Sequence, residues 1–409
     1  MHVELHPDFA DTAEGIRARE LTSACVHCGF CLATCPTYLD NRDERDSPRG
    51  RIYLIKQLLE TGSASEVTHT HLDRCLTCRS CETTCPSGMQ YGQLLDLGRG
   101  LMEERVPRGF LQRSQRRLLR FVLTRESLFA ALLFLGRLFR PLLPGSLANK
   151  VPSRQILKPL PQTSRLTRTA LLLEGCVPRA STPRTNNAAR RVLAQLGLDL
   201  ISVPAAGCCG AVNYHLGAHR DGLDDLRRNI DAWWPLVEGG AEAILSTATG
   251  CGVMLADYGQ LLAHDPDYAE RARVISRLAK DIGQFLSGED LTGLDCAGNM
   301  GPVAVHTPCT LYHGLREPAL VESLLERLGF VLAPTSDKHL CCGSAGTYSV
   351  LQPAASKRLR ERKLKALSAA RPAVIASANV GCQLHLSESS DIPVVHWVEL
   401  LDNNDPSMP

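Results

Sequence analysis

Two short cysteine runs carry the most specific chemistry in this sequence. Both have the spacing C-x2-C-x2-C-x3-C-P, at residues 25–36 and again at residues 75–86. Three thiolates at intervals of three wrap one tight loop around a cubic cluster, and the fourth cysteine, followed by proline, ligates the other cluster of the pair. Zinc sites instead usually have two C-x2-C pairs and no third cysteine at the same pitch. The spacing therefore predicts two [4Fe–4S] clusters.

The crossed pattern assigns a definite set of ligands to each cluster, because the last cysteine of one run serves the other run. Cluster 1 is predicted to be held by Cys25, Cys28, Cys31 and Cys85. Cluster 2 is predicted to be held by Cys75, Cys78, Cys81 and Cys35. The two clusters are therefore expected to lie side by side in one domain.

A helix is predicted between the two runs. Ser47 is a good N-cap and Pro48 suits the first helical position, after which apolar residues recur at helical spacing as far as residue 59. Arg49 and Arg51 either lie near an anionic cluster or are solvated charges at the start of the helix, and the sequence leaves both readings open. These features predict a helical two-cluster ferredoxin-type domain over residues 1–110.

The C-terminal part of the chain contains an internal duplication. The first copy has Cys176, Cys208, Cys209 and Cys251, and the second has Cys309, Cys341, Cys342 and Cys382 at matching places. Each copy opens with a β-like run that ends at its first cysteine, continues with an amphipathic helix and Cys-Cys-Gly, and then has a helix and strand before its last cysteine. This alternation predicts two α/β units with largely parallel sheets, over residues 166–300 and 301–409.

The matched cysteines follow the predicted strands, and ligands in such folds gather at the carboxyl ends of strands. Buried free cysteines are common in protein cores, but a purely packing role does not explain eight cysteines matched between two repeats. The pattern therefore predicts a metal or redox role. His306 and His313 flank Cys309, and because a lone histidine near a strand end is more often a hydrogen-bonded packing residue, neither is predicted to be a ligand.

Residues 111–165 have a different character and predict a basic amphipathic connector. Four arginines share one helical face and three apolar residues the opposite face: Arg113, Arg116, Arg117 and Arg120, against Leu111, Leu118 and Val122. The apolar run that follows is shorter than the about 20 residues needed to span a bilayer. The connector is expected either to lie on an anionic membrane surface or to pack its apolar side on a neighbouring domain or subunit.

Composition sets broader limits. A net charge of +2 gives no reason to expect a nucleic-acid partner. Seventeen cysteines, with no basic and apolar signal regions at the N-terminus, favour metal-bound thiolates in a reducing cytoplasm. We find no G-x-G-x-x-G opening a βαβ unit and no other flavin or nicotinamide fingerprint. The expected protein is an α+β multidomain electron carrier.

The doubled cysteine run followed by two Cys-Cys-Gly repeats resembles the iron–sulfur subunits of glycolate oxidase (glycolate dehydrogenase) over essentially the whole chain. Besides the two runs, the similarity is closest at residues 306–316, 339–348 and 379–386. The resemblance implies that an FAD-binding flavoprotein partner oxidises glycolate to glyoxylate and that this chain passes electrons to a quinone or another acceptor. It also implies that the chain holds no catalytic residue and is cytoplasmic or peripheral on the inner face of the membrane.

Related families share this plan, namely the iron–sulfur subunits of lactate utilisation, of anaerobic glycerol-3-phosphate dehydrogenase and of heterodisulfide reductase. In the last of these, Cys-Cys-Gly repeats hold noncubane [4Fe–4S] clusters with a closing C-x2-C pair, which implies an additional iron–sulfur cluster here. This chain has Met254 and His385 in place of the closing cysteines. The second repeat, with His385 as a nitrogen ligand, is therefore the better candidate. A thiol or disulfide reductase and an iron–sulfur sensor are the other functional classes, although no output domain for a sensor is apparent.

Overall fold

The predicted fold class is confirmed: a helical unit is followed by two α/β units with parallel sheets. The computed structural model describes residues 1–148, 150–160, 166–294, 296 and 301–402. The predicted domain boundaries near residues 165 and 300 adjoin residues 161–165 and 297–300, which lie outside the described residues. The division into four segments therefore stays a prediction.

The N-terminal unit is built from helices that surround the two cysteine runs. These helices are α1 (Pro7–Ala10), α2 (Ala13–Ser23), α3 (Pro36–Asn41), α4 (Pro48–Thr61), α5 (Glu66–Asp73), α6 (Ser80–Thr84) and α7 (Tyr91–Arg105). Helices α2, α4 and α7 pack against one another. Their apolar faces form a core that also contacts cysteines of both runs, so the core holds the runs in place.

The helix predicted between the runs is confirmed as α4. The Ser47 hydroxyl accepts a hydrogen bond from the backbone N–H of Gly50 at 2.9 Å, and Pro48 occupies the first turn of the helix. The helix ends at Gly62, whose φ of 67° is the left-handed conformation that glycine adopts without a steric penalty. Because Ile55 and Leu58 on this helix are fully buried, α4 provides a fixed support beneath the two runs.

A buried carboxylate joins the start of α4 to the end of α5. The Asp46 carboxylate accepts a hydrogen bond from His71 Nδ1 at 2.8 Å and one from Arg74 Nη1 at 2.9 Å. Arg51 Nη2 lies 3.6 Å from the same carboxylate. Since both Asp46 and Arg51 are buried, this network fixes the segment after the first run against the helix that leads into the second.

The connector contains α8 (Phe110–Leu123), α9 (Glu126–Leu138) and α10 (Gly145–Ala148). On α8, Arg116 lies 2.7 Å from Asp73 of the helical unit, and Arg120 forms an ion pair with Asp221 of the first repeat. The opposite apolar face is exposed, including Leu118. The expected packing of the apolar side against a domain of this chain does not hold for Leu111 and Leu118 of α8, which are exposed, whereas α9 packs against the first repeat. Packing against another subunit stays a prediction.

Part of the connector is an exposed apolar surface. We define the connector patch as Phe110, Leu111, Leu118, Phe121, Phe134 and Leu138. Among the described residues, no helix combines the length and the apolar character needed to cross a bilayer.

The first repeat forms one parallel sheet, in the order β2-β1-β3-β4 among the described residues. Its elements are β1 (Arg168–Leu173), α11 (Pro178–Ser181), α12 (Pro183–Gln195), β2 (Leu198–Ser202), α13 (Ala211–His215), α14 (His219–Glu238), β3 (Ile244–Ser246), α15 (Thr249–Leu261), α16 (Ala269–Leu278), β4 (Ala279–Asp281) and α17 (Ile282–Ser287). The apolar strands predicted before Cys176 and Cys251 are β1 and β3, and they are adjacent at the centre of the sheet.

The second repeat has the equivalent parallel order, β6-β5-β7-β8, in the part of the chain that is described. Its elements are β5 (Val303–His306), α18 (Leu320–Arg327), β6 (Leu332–Ala333), α19 (Tyr348–Leu351), α20 (Pro353–Ser368), β7 (Val374–Ser377), α21 (Val380–Ser387) and β8 (Val394–His396). The central strands β5 and β7 precede Cys309 and Cys382. The duplication seen in the sequence is thus a duplication of topology.

The two repeats share one hydrophobic core. Leu172 and Leu245 of the first sheet lie in the same packed cluster as Val305 and Ala376 of the second. Polar contacts add to this interface, for example the backbone N–H of Thr249, which donates to the carbonyl of Ala378 at 3.3 Å. The repeats therefore form one body rather than two units on a tether.

Candidate metal centres

The two cysteine runs have positive φ angles at the same two positions. His27 and Thr77, each two residues after the first cysteine of its run, have positive φ angles of 55° and 52°. Two residues further on, Gly29 and Arg79 have φ angles of 82° and 58°. Non-glycine residues in this region are strained and persist only where the surroundings fix them, often at ligand sites. The strain is therefore consistent with loops shaped to surround a bound group.

The first run forms a cavity near the protein surface. Its lining includes Cys25, Cys28, Cys31 and Cys85. Cys28 is exposed and the other three thiols are partly buried. Arg49 also lines the cavity, and its guanidinium lies close to Gly29. The structure therefore brings together the four cysteines predicted for cluster 1 and places a positive charge beside them.

A second cavity lies deeper in the protein. Its lining includes Cys35, Cys75, Cys78 and Cys81. All four of these cysteines are buried. Arg51 lines the cavity, is itself buried, and donates from Nε to the carbonyl of His71 at 2.7 Å. The sequence left open whether Arg49 and Arg51 lie near a cluster or are solvated. The structure places each of them beside a predicted cluster site.

The thiols differ in how readily they deprotonate. Burial raises the pKa of Cys31 to about 11, and burial raises the pKa values of Cys78 and Cys81 well above the usual value. Burial also acts to raise the pKa of Cys85, but hydrogen bonds from Ser87 and nearby backbone amides outweigh it and lower that pKa. Buried thiolates need positive charge to compensate them, and bound iron supplies it. Cys78 and Cys81 of the deeper site therefore favour the thiolate form when a cation binds beside them.

The deeper cavity adjoins both the first cavity and the second repeat. Cys81 lines both cavities. On the other side, Cys78 packs in one apolar cluster with Cys309 and Cys341 of the second repeat. After burial itself, the nearby Cys309 thiol is the largest cause of the raised pKa of Cys78. Three groups of thiols therefore follow one another from the surface into the protein.

Polar contacts hold the second repeat against the helical unit. The Thr83 hydroxyl and His313 Nδ1 are 2.8 Å apart, and His313 Nε2 lies 2.8 Å from the carbonyl of His339. Both ring nitrogens of His313 thus have partners, as expected for a packing histidine. Arg358 forms an ion pair with Asp40. These contacts fix the distance between Cys78 and the cysteines of the second repeat.

In the first repeat the four matched cysteines come together at the carboxyl ends of β1 and β3. The Sγ atoms of Cys176 and Cys208 are 3.7 Å apart, and the Cys209 thiol contacts those of Cys208 and Cys251. Met254 is buried in the apolar cluster that contains Cys209. A cavity of about 300 Å³ opens beside Cys176 and Cys208. This site thus faces a cavity that the connector borders.

The second repeat has the same arrangement of thiols. The Sγ atoms of Cys309 and Cys341 are 3.7 Å apart, and the Cys342 thiol contacts those of Cys341 and Cys382. The side-chain amide of Asn379 donates to Cys382 Sγ at 3.4 Å. The cysteines matched by sequence are therefore also matched in space, at the carboxyl ends of β5 and β7.

The glycine of each Cys-Cys-Gly has a steric role. Gly210 and Gly343 have φ angles of 89° and 91°. A Cβ atom at Gly210 would lie 2.5 Å from Leu226, and one at Gly343 would lie 2.7 Å from the carbonyl oxygen of Ser356. Glycine is needed because the chain turns through a left-handed conformation beneath the helix that follows.

Each repeat also places one cation near its thiols. Arg228 contributes to lowering the pKa of Cys208 in the first repeat. In the second, Lys363 is buried and its Nζ donates to the carbonyl of Asp337 at 2.6 Å. Burial lowers the pKa of Lys363, and the thiols of Cys342 and Cys341 act in the opposite direction. Sequence reasoning missed both cations, because each lies at least 19 residues from the cysteines it approaches.

The sequence of the second repeat favours His385 as a ligand, but the structure places His306 beside the thiols instead. His385 Nε2 is 3.2 Å from the Ser356 hydroxyl, and His385 is not part of the described cluster of possible ligands in this repeat. That cluster contains His306 with Cys342 and Cys382. Burial holds the pKa of His306 well below its usual value, so its imidazole is neutral.

Comparison with known proteins matches this architecture. A model of the 4Fe-4S dicluster domain matches residues 21–89, and a model of the cysteine-rich domain matches residues 170–256 and again 303–387. The chain is 47% identical over 403 residues to the glycolate oxidase iron-sulfur subunit of Escherichia coli, with 98% of each protein covered. The chain belongs to the glycolate oxidase iron–sulfur subunit family. The resemblance seen in the sequence is thereby confirmed.

Other relatives mark the limits of the similarity. The probable glycolate oxidase iron-sulfur subunit of Bacillus subtilis is 30% identical over 421 residues, with 92% of each protein covered. Lactate utilization protein A of Shouchella clausii is 29% identical over 208 residues, which are 48% of this chain and 83% of that protein. The similarity to glycolate oxidase subunits thus covers far more of the chain.

The structure also identifies a hydrogen bond expected to tune one site. The Tyr91 hydroxyl donates to Cys75 Sγ at 3.7 Å. Hydrogen bonds to cluster sulfurs favour the more negative reduced state, so Tyr91→Phe is expected to lower the reduction potential of the cluster predicted at Cys75. Redox titration followed by electron paramagnetic resonance measures this. Tyr53→Phe, at an exposed position on α4, is the control, and an equal shift in both variants would contradict the assignment.

Proposed function

We propose that this chain is the electron-transfer subunit of a flavin-dependent glycolate dehydrogenase. A partner flavoprotein oxidises glycolate to glyoxylate, and this chain carries the electrons singly towards a quinone or another acceptor. The observation that carries the proposal is the succession of thiol groups from exposed Cys28, through the buried second site, to Cys309 of the second repeat. Nearly full-length similarity to glycolate oxidase subunits supports it.

Two [4Fe–4S] clusters are proposed with the crossed ligand sets. The set Cys25, Cys28, Cys31 and Cys85 holds cluster 1, and the set Cys35, Cys75, Cys78 and Cys81 holds cluster 2. The support is geometric, since each set lines one cavity. When bound, such clusters accept and release single electrons. The chain's own residues exclude water from cluster 2 and place Arg49 and Arg51 where they offset the negative charge of the thiolates.

A third iron–sulfur centre is proposed at the second repeat, where the four thiols approach one another and Lys363 supplies a buried positive charge. Its position beside Cys78 makes it the next acceptor or donor after cluster 2. The first repeat has a matching set of thiols but packs against the helical unit through other contacts, including His215 Nδ1, which lies 3.0 Å from Asp96. We assign it no step in the transfer.

The surface around Cys28 is the proposed point of contact with the electron-donating flavoprotein. Val26 and Phe30 are 66% and 61% exposed and lie within the same loop. Exposed apolar residues around a redox site suit docking of a protein partner, because their burial contributes to binding. The alternative substrates of the complex are lactate and glycerol-3-phosphate, and the alternative activity is disulfide reduction at the repeats.

The crossed ligation makes a specific prediction. Cys35→Ser is expected to damage cluster 2, although Cys35 belongs to the first run, and Cys85→Ser is expected to damage cluster 1. Each variant should lose up to about four of the about eight irons of the two clusters. Spectra and iron analysis of the anaerobically purified chain check this. Loss of the cluster held by the remaining cysteines of the mutated run would contradict the crossed assignment.

A second prediction separates electron carrier from catalyst. The purified chain, shown to be free of flavin, is expected not to reduce an artificial acceptor with glycolate, because it lacks a two-electron cofactor. Co-expression with a flavoprotein partner is expected to restore activity with glycolate above that with lactate or glycerol-3-phosphate. Turnover of glycolate by the flavin-free chain would contradict the proposal. If the co-expressed complex oxidised lactate and not glycolate, lactate would be assigned as the substrate instead.

We further propose peripheral contact with the inner face of the membrane through the connector patch. An interfacial helix combines exposed apolar residues with basic residues at their border, and on α8 the exposed Arg113 and Arg117 lie beside the patch. The six side chains of the patch are between 50% and 81% exposed. Arg116 and Arg120 are excluded from this role, because they pair with acids of the same chain.

The membrane proposal predicts separable effects of two double variants. Leu111→Gln with Leu118→Gln is expected to abolish binding to vesicles that contain anionic lipid. Arg113→Gln with Arg117→Gln is expected to weaken binding and its salt dependence, since surface charges are screened over about 10 Å at 0.1 M salt. Vesicle flotation measures both, and cluster content serves as the control. Full binding by the leucine variant would contradict membrane contact through the patch.

A further inference from the structure

The inference concerns His306, the last residue of strand β5. Its side chain is 2% exposed and lies three residues before Cys309 at the carboxyl end of a central strand. Neither Nδ1 nor Nε2 has a hydrogen-bond partner among the described residues. Buried polar groups are nearly always paired, because removing them from water without a partner costs free energy. A histidine with both nitrogens unpaired therefore does not fit a packing role.

The ring is directed at the thiols of the second repeat. One ring nitrogen and the Sγ atoms of Cys342 and Cys382 all lie within 4.8 Å of one another. Cys342 also contacts Cys341, whose Sγ is 3.7 Å from that of Cys309. One nitrogen and four sulfur donors thus converge at one place. Imidazole nitrogen and thiolate sulfur are both good ligands for iron.

Comparison with the first repeat shows that this arrangement belongs to the second repeat alone. Leu173 ends β1 at the position of His306, again three residues before the first cysteine. In both sheets this residue pairs in register with a serine, Ser246 beside Leu173 and Ser377 beside His306. The Ser246 hydroxyl donates to the carbonyl of Ala248 at 2.9 Å, whereas the Ser377 hydroxyl is unpartnered among the described residues. At this pair of positions, the second repeat therefore has two neighbouring polar side chains without partners in the described structure, and the first repeat has a leucine and a paired serine.

We propose that His306 is the nitrogen ligand of an iron centre at the second repeat, together with the thiolates of Cys309, Cys341, Cys342 and Cys382. This rests on the third iron centre of the proposed function. His306 takes the place expected from sequence for His385, which lies against Ser356 instead. Ser377 lies on the adjacent strand in register with His306.

The test uses the full chain purified without oxygen, with histidine labelled with ¹⁵N. Iron and zinc per chain are measured, and pulsed electron paramagnetic resonance of the reduced protein detects coupling to a ligand nitrogen. The wild-type chain is expected to hold more than the about eight irons of two cubic clusters and to show histidine nitrogen coupling. His306→Ala is expected to lose that coupling and the additional iron.

Two further variants keep the proposal falsifiable if His306→Ala folds poorly. His306→Cys supplies a thiolate in place of the imidazole and is expected to retain the additional iron without the nitrogen coupling. His385→Ala is the matched control and is expected to retain both. Persistence of the coupling in His306→Cys, or its loss in His385→Ala, would overturn the assignment.

The outcomes also separate this inference from the proposed function. Zinc instead of the additional iron in the wild-type chain would overturn an iron centre at His306. A wild-type content of only about eight irons, with the spectra of two [4Fe–4S] clusters, would do the same, yet it would leave the role of those two clusters in electron transfer standing. Absence of the two clusters themselves would instead refute the proposed function.

Discussion

The fully buried carboxylate of Asp46 is the interaction on which the N-terminal unit depends. It binds His71 and Arg74 of the segment leading into the second cysteine run and lies beside Arg51 of α4. Removing one member of such a buried network costs about 3–5 kcal/mol, because it leaves the remaining charge unpaired. The proposed crossed ligation needs the two runs, 50 residues apart, to be held in register. The network supplies this register without relying on the iron.

The duplicated repeats show how one topology acquires two environments. Both sheets have the same strand order and the same four cysteines at the carboxyl ends of their central strands. The second repeat packs its thiols against Cys78, whereas the first repeat directs Cys176 towards a cavity bordered by the connector. Since the repeats share one core, the difference arises from what covers each sheet edge and not from the sheets themselves.

Local signals explain what the sequence could predict. Ser47 and Pro48 begin α4 as expected, because capping depends on neighbouring residues only. The matched spacing of the cysteines likewise indicated the repeats and the strand ends that carry them. The short edge strands β4 and β8 were not predicted, since three residues give little periodicity and neither strand leads to a cysteine of the repeat, as the equally short β3 does. The sequence also did not predict that the basic face of α8 packs against the rest of the chain. That packing depends on ion pairs with Asp73 and Asp221, which are distant in sequence.

The same limit applies to the candidate sites. His385 follows Cys382 by three residues and therefore looked like part of its motif, but Ser356 on α20 occupies the space beside its ring. That His306 finds no hydrogen-bond partner in the described part of the chain is a property of the folded interior, and spacing along the chain cannot reveal it.

The exposed position of Cys28 has a consequence for how the protein is damaged. A diffusing oxidant such as dioxygen meets this thiol well before it reaches the buried Cys78 or Cys81. Reactivity of thiolates towards oxidants rises with their exposure. Loss of function in air should therefore begin at the outermost site and proceed inwards. The opening at which we propose that a partner donates electrons thus also sets the order in which the sites are damaged.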